Sequence, residues 1–275
     1  YDGVIAALEA RGLSVLPVFA SGLDARPAIE RFLMRDGKPC IDALVSLTGF
    51  SLVGGPAYND ARAAEEMLAA LDVPYLAAHP LEFQTLEQWS ASERGLMPVE
   101  ATIMVAIPEL DGATSPMVFG GRSSSRGPED HRDMCVDEAR AKMLAARVDK
   151  LVALRQRDKA ERKLAVVLFN FPPNAGTVGT AAFLSVFESL FQTLKGLKAD
   201  GYQVEMPASV DALRDALLKG NAQSYGAQAN VHALVSASDQ VRDDPHLEQI
   251  EAQWGPAPGR QQSDGSSIFV LGQQF

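Results

Sequence analysis

The sequence predicts an α/β protein with open, mostly parallel sheets in two units joined by a long charged helix. Three observations predict it. Short continuous apolar runs alternate with amphipathic runs along the chain, the pattern of strands alternating with helices. The stretch Leu164–Met206 reads as strand, glycine-rich loop, helix and strand, a βαβ unit whose crossover is right-handed. Residues 129–163 carry ten Lys/Arg and eight Asp/Glu, a charged helical face between the two apolar-patterned regions.

Taken in order, residues 1–11 read as a helix with Val4, Ile5 and Leu8 on one face, ended by Gly12. Leu13–Phe19 is an expected buried strand. Asp24 caps an expected helix through Met34, with Pro27 in its first turn, where proline is tolerated. Ala43–Leu47 is the next strand, the loop 48–56 is glycine-rich, and Asn59 or Asp60 caps a helix to Leu71. Val73–Ala78 is a third strand with His79 at its carboxyl end, followed by a short helix over Phe83–Trp89. Ala101–Ile107 is an expected fourth strand leading into Pro108–Gly112, and Met117–Phe119 is a short fifth. Asp133–Asp158 is the long helix, with Val136, Met143, Leu144, Val148, Leu151 and Val152 turned inward. After the βαβ stretch, Asp211–Lys219 and Asp239–Gln253 read as helices, 220–236 is poorly patterned, and Ser267–Gly272 is a last strand. The expected organisation is 1–122, an α/β domain; 123–162, a linker and the charged helix; and 163–275, a second α/β domain, incomplete at its carboxyl end. The chain opens on Tyr1 inside a helical pattern and closes on Phe275 inside a strand pattern, so it reads as a piece of a longer protein.

Composition narrows the function. A chain of 275 residues, 47% apolar, is long enough to bury sizeable cores. Its net charge of −10 argues against a nucleic-acid binder. No run approaches the length of a membrane span, and no secretion signal is visible. Cys40 and Cys135 are too few and too far apart for a disulfide framework or a zinc site, which suits a reducing compartment. No Ser/His/Asp set, H-E-x-x-H or C-x-x-C points to a hydrolase or a zinc enzyme.

Several segments could carry chemistry, each with a plainer alternative. Loop 170–179 could face a ligand at a strand's carboxyl end, yet it lacks the P-loop Lys and does not fit G-x-G-x-x-G; the plainer alternative is a tight turn that lets the helix pack on the sheet. In Thr48–Pro56, Phe50, Leu52 and Val53 either pack under neighbouring structure or line an apolar slot for a flat ligand. Glu109 and Asp111, two apart on an expected extended chain, would point the same way; they could move protons or hold Mg²⁺, or simply occupy an Asp-Gly turn. His79 is a hydrogen-bonded structural residue or a ligand; Glu82 and Glu100 read as surface groups and Trp254 as a core anchor.

The segments Thr48-Gly-Phe-Ser-Leu-Val-Gly-Gly-Pro-Ala57, Pro108-Glu-Leu-Asp-Gly112, Val118-Phe-Gly-Gly-Arg122, Phe171-Pro-Pro173 with Gly176 and Gly179-Thr-Ala-Ala182, and Trp254-Gly-Pro256 with Pro258-Gly259 resemble the porphyrin-binding large subunits of the magnesium chelatase family. The resemblance runs across essentially the whole chain. Cobaltochelatase large subunits share the second block; the first block resembles the magnesium enzymes more. The resemblance implies a ligase that inserts Mg²⁺ into protoporphyrin IX on the route to chlorophyll or bacteriochlorophyll, in bacterial cytoplasm or plastid stroma. ATP is then hydrolysed by an AAA+ ATPase subunit and its partner subunit, in keeping with the missing Walker loop. The family proteins are several times longer, so this chain alone is expected to be inactive. The resemblance implies Glu109 as proton acceptor or Mg²⁺ guide, with Asp111 second and His79 third. The apolar slot implies porphyrin contacts from Phe50, Leu52, Gly54, Gly55 and His79. The alternatives are a cobaltochelatase subunit acting on a corrinoid, or a non-catalytic docking segment whose basic stretch 132–163 meets the ATPase subunits.

Overall fold

In the computed structural model the described residues are 1–55, 57–124, 134–169, 178–179, 181, 183–219, 221, 224, 230–256 and 264–275. They fall into two units, Tyr1–Arg157 and Asp158–Phe275.

The first unit opens with α1 (Asp2–Glu9) and α2 (Arg26–Phe32). Pro27 lies in the first turn of α2, and the Asp24 carboxylate accepts the Arg26 N–H just ahead of that helix. A small hairpin, β1 (Met34–Arg35) with β2 (Lys38–Pro39), leads to β3 (Leu44–Ser46). A second hairpin, β4 (Gly54–Gly55) with β5 (Tyr58–Asn59), precedes α3 (Ala61–Leu71). Asp60 caps α3 by accepting the Ala63 N–H at 3.0 Å. Then come β6 (Tyr75–Thr85), α4 (Leu86–Ser90), and a helical run over 98–110. That run is α5 (Pro98–Glu100), a π-helical turn Ala101–Ala106 and α6 (Ile107–Leu110). β7 (Thr114–Arg122), β8 (Met134–Val136) and α7 (Glu138–Gln156) complete the unit.

The sheet order is β3-β6-β7-β8. β3, β6 and β7 are parallel, and β8 is an antiparallel edge strand, so the expected mostly parallel sheet is present here. Successive β6 side chains point to opposite faces. Leu76 and Ala78 join a core with Val4 and Leu8 of α1 and Leu144 and Val148 of α7. Tyr75 and Ala77 join a second core with Ile29, Leu52, Val53 and Leu71. Helices thus cover both faces, as a parallel sheet requires.

Several expected elements differ. Ala101–Ile107 is helical, not a strand. Pro98 in the first turn and Glu100 closing on the Met97 N–H at 3.2 Å start a helix there, and a short apolar run cannot by itself distinguish the two states. Among the described residues Leu13–Phe19 pairs with no strand; Pro17 removes a ladder donor, and of this segment Leu13 and Val15 pack against the core. β6 runs through Phe83, so His79 lies within the strand, and the following helix starts only after the Thr85 cap. The long helix begins at Glu138, and Met143 is exposed. α7 packs within the first unit.

The second unit contains α8 (Val186–Ala199), α9 (Val210–Leu218), β9 (Val231–Ser236), α10 (Ala237–Asp243), α11 (Leu247–Trp254) and β10 (Ser267–Leu271). β9 and β10 pair antiparallel, so the poorly patterned stretch 220–236 ends in a strand. Asp244 and Pro245 split the helix expected over Asp239–Gln253. Among the described residues Leu164–Phe169 and Tyr202–Met206 form no ladder, and Val167 is 91% exposed. A parallel pair must be covered on both faces, whereas α8 can cover only one. The glycine-rich loop of that stretch lies outside the described residues at 170–177. Trp254, expected in the core, is 79% exposed at the end of α11.

Candidate functional site

The carboxyl-terminal half of β6 and the segments beside it bring several sequence-singled residues together. Gly49 follows β3 with φ +68°, and a Cβ there would lie 3.4 Å from His79 Cβ and 3.3 Å from Met104 Cγ. The glycine therefore lets the loop backbone close against the base of the His79 side chain and the middle of the helical run 98–110. Further along the loop, the Leu52 N–H donates to Asp111 Oδ2 at 2.7 Å. This bond ties the glycine-rich loop to the Pro-Glu-Leu-Asp-Gly turn across 59 residues of chain.

Asp111 is 1% exposed, and Glu109 is exposed on the preceding turn. The two carboxylates therefore do not share a direction, because the chain here is helical rather than extended. Burial pushes the Asp111 carboxyl above the usual range, against the Ser51 hydroxyl and the Leu52 N–H, which favour its ionised form. Glu109 has no hydrogen bond or ion pair through its carboxylate among the described residues, so it is uncommitted.

His79 is 2% exposed, and neither ring nitrogen has a hydrogen-bond partner among the described residues. Burial pulls it down to about 4; Glu100 opposes that shift and Arg140 adds to it. At neutral pH it is an uncharged imidazole. Tyr75, four residues earlier on the same strand, is pushed up to about 12 by burial, with Ser46 opposing and the Asp111 charge assisting.

Glu100, expected at the surface, is fully buried. Its Oε1 accepts the Phe83 N–H at 3.3 Å, and its Oε2 accepts the Met97 N–H at 3.2 Å and the Gln84 side-chain amide. A buried carboxylate with three donors is the arrangement burial demands. A proline in the first turn with Glu three residues past Met97 is the signal that could have found it.

Phe50 is half-buried, but Leu52 and Val53 lie in the second core, so the packing alternative holds for these two. Gly54 and Gly55 form the hairpin wall of an open recess of about 470 Å³, with Leu23, Arg26, Val53 and Tyr58 around it. Arg26 is already held there by Asp24, at 2.7 Å from Nη2 to Oδ2. Among the described residues no group of three or more His, Cys, Asp and Glu could hold a metal ion. No helix among them is long and apolar enough to cross a membrane.

Similarity to known proteins extends over the same segments and beyond them. The chain is 54% identical to the magnesium-chelatase H-subunit of Cereibacter sphaeroides over all of this chain and 24% of that protein. It is 41% identical to the chloroplastic magnesium-chelatase ChlH protein of Oryza sativa subsp. indica, over all of this chain and 20% of that protein. The chain thus spans about a quarter or less of the length of these relatives. The catalytic subunit of cobaltochelatase from Mycobacterium tuberculosis shares the fold: TM-score 0.71 and 24% identity over 98% of this chain and 23% of that one. The CobN/Magnesium Chelatase profile matches residues 1–275, and the chain belongs to that family.

Proposed function

We propose that this chain is part of a magnesium chelatase large subunit that binds protoporphyrin IX and receives Mg²⁺, with ATP hydrolysed by an AAA+ subunit and its partner rather than here. The observation that carries this reading is the 54% identity to a magnesium-chelatase H-subunit over the whole chain, against 24% to the cobaltochelatase structure. The same contrast favours magnesium over cobalt and a porphyrin over a corrinoid. Setting in bacterial cytoplasm or plastid stroma follows from the same reading.

Metallation removes two pyrrole protons and strips water from a tightly hydrated ion. Glu109 suits both steps, because it is exposed and its carboxylate is uncommitted. It acts as proton acceptor and Mg²⁺ guide. Asp111, which the sequence paired with it, holds the Leu52 N–H and positions the turn instead. Phe50 and the Gly54–Gly55 wall offer ring contacts, Leu52 supports them from the core, and the neutral His79 backs the glycine-rich loop. Partner-driven motion then closes the site or distorts the ring.

A titration of the chain with a soluble porphyrin, followed by porphyrin fluorescence, tests ring binding. Saturable binding weakened in Phe50→Ala supports the reading. In the full-length subunit Glu109→Ala should lower Mg²⁺ insertion while keeping porphyrin affinity. Normal turnover in that variant would remove Glu109 from the mechanism, and no binding to the chain would place the ring elsewhere.

A second reading concerns the outer face of α7. Lys142, Arg147 and Lys150 are exposed there, opposite the buried Ala141, Leu144 and Val148. That basic face would dock a partner subunit through complementary charge.

A further inference from the structure

Arg140, in the first turn of α7, is held in place but has no counter-charge among the described residues. Its Nε donates to the Val118 carbonyl at 2.8 Å, and its Cζ lies 4.7 Å from the centroid of the Trp89 ring. Trp89 belongs to α4, which is itself tied to the end of β7. There the Glu87 carboxylate accepts the Ser123 hydroxyl at 2.6 Å and the Ser124 N–H at 3.0 Å. One hydrogen bond and one stacking contact thus fix the guanidinium from two elements. Among the described residues it forms no ion pair. The neighbouring Asp137 carboxylate accepts the Arg140 backbone N–H at 3.1 Å rather than the guanidinium. By contrast, Arg11, Arg26, Arg62 and Arg242 are each paired with a carboxylate. In a chain of net charge −10, acidic partners are plentiful, so a half-buried, oriented guanidinium whose Nη groups have no partner among the described residues stands apart.

Its position also matters. Val118 is the register partner of His79, so Arg140 reaches the sheet beside the buried imidazole. Ligands of open α/β sheets sit near the carboxyl ends of parallel strands. With Nε taken by the Val118 carbonyl, the two Nη groups of the planar guanidinium remain as parallel N–H donors, which match a carboxylate in bidentate fashion.

We propose that Arg140, backed by Trp89, is a carboxylate-binding site that receives a propionate of the tetrapyrrole. This rests on the ring-binding reading above and deepens it by naming what anchors the acidic edge of the ring. The guanidinium neutralises the propionate without moving, because its plane is already set.

The test is a titration of the 275-residue chain with deuteroporphyrin IX, a dicarboxylic acid, and with its dimethyl ester, followed by Soret absorbance. Arg140→Gln should weaken binding of the acid about tenfold, the worth of a charge-assisted pair, and leave the ester unchanged. Arg140→Lys keeps the charge without the fork or the stack, and should lose part of that affinity. It decides the matter if the Gln variant fails to fold by circular dichroism. Acid binding unchanged in the Lys variant and, where it folds, the Gln variant overturns the Arg140 assignment and leaves ring binding standing. Equal losses for acid and ester do the same. If neither compound binds the unaltered chain, the ring-binding reading fails and this assignment with it.

Discussion

Asp111 Oδ2 accepts the Leu52 backbone N–H at 2.7 Å, and both groups are buried. Asp111→Ala leaves that N–H unpaired in the core and should cost about 2 kcal/mol. Urea unfolding reads the loss. Asp111→Asn keeps an acceptor oxygen and should lose less. The pH dependence has a definite sign. Because the folded carboxyl titrates above its unfolded value of 3.8, the folded state holds the proton more tightly, and this group's contribution to stability falls as pH rises through its folded pKa. Asp111→Asn should remove that fall.

His79 gives the opposite slope. Its folded pKa of about 4 lies below the model-peptide value of 6.5, so the unfolded chain binds the proton more tightly in between. Stability from this group is therefore fully present above pH 6.5 and lost as pH falls to 4, by about 3 kcal/mol. Unfolding curves at about pH 7 and about pH 4.5 should show this loss in the parent chain and a smaller one in His79→Phe. Equal losses in both would remove His79 from the acid sensitivity.

Glu100 has no polar substitute of the same valence. Glu100→Ala strands the Met97 and Phe83 N–H groups and the Gln84 amide in a buried place, and should cost about 3–5 kcal/mol. The Leu52 amide should also exchange faster with deuterium, since the helical run that carries Asp111 starts at this anchor. A loss below about 1 kcal/mol would show that these donors find water instead.

These three residues were not equally legible. The sheet of the first unit followed from apolar strands and caps: β3 and α3 stand close to where periodicity put them, β6 starts near its expected place but runs on to Thr85, and Asp60 is one of the two expected caps. Two of the motif segments that carry the family resemblance also meet in space, as Leu52 on Asp111 shows. The helical run over 101–107 was not legible from periodicity, because Ala-Thr-Ile-Met-Val-Ala-Ile suits either state and the decision lies with Pro98 and Glu100. That error also turned Glu109 and Asp111 the same way, whereas the helix separates them. Burial of Glu100 depends on partners at 83, 84 and 97 that only the folded chain assembles. Arg140 gave no signal, because one arginine in a basic helix looks like its neighbours until Trp89 and Val118 are placed.

Gly49 combines a positive φ of +68° with close packing. Gly49→Ala must adopt a left-handed backbone, at about 1–2 kcal/mol, and push its methyl toward Met104 and His79. Denaturation should show a loss of about that size. Gly12→Ala, at φ +78° with open space around the added Cβ, is the control that carries only the backbone part. Equal losses at the two positions would mean that the contact with His79 contributes nothing.

The outer face of α7 separates docking from folding. Among the described residues Lys142 pairs only with Glu138 of its own helix, at 3.7 Å and well exposed, an arrangement that contributes little. Reversing Lys142, Arg147 and Lys150 to Glu should therefore change unfolding free energy by no more than about 1 kcal/mol, since exposed pairs are worth that or less. On the docking reading the same triple reversal slows association with an acidic partner and abolishes its salt dependence, because rim charges act mainly on encounter rate. Surface plasmon resonance at low and physiological salt reads both quantities. Porphyrin affinity should stay unchanged, because these three side chains lie on the face of α7 opposite Ala141, Leu144 and Val148, which pack toward the sheet that carries His79. An unchanged association rate with each partner subunit, in a variant that still folds, would leave this face simply solvated.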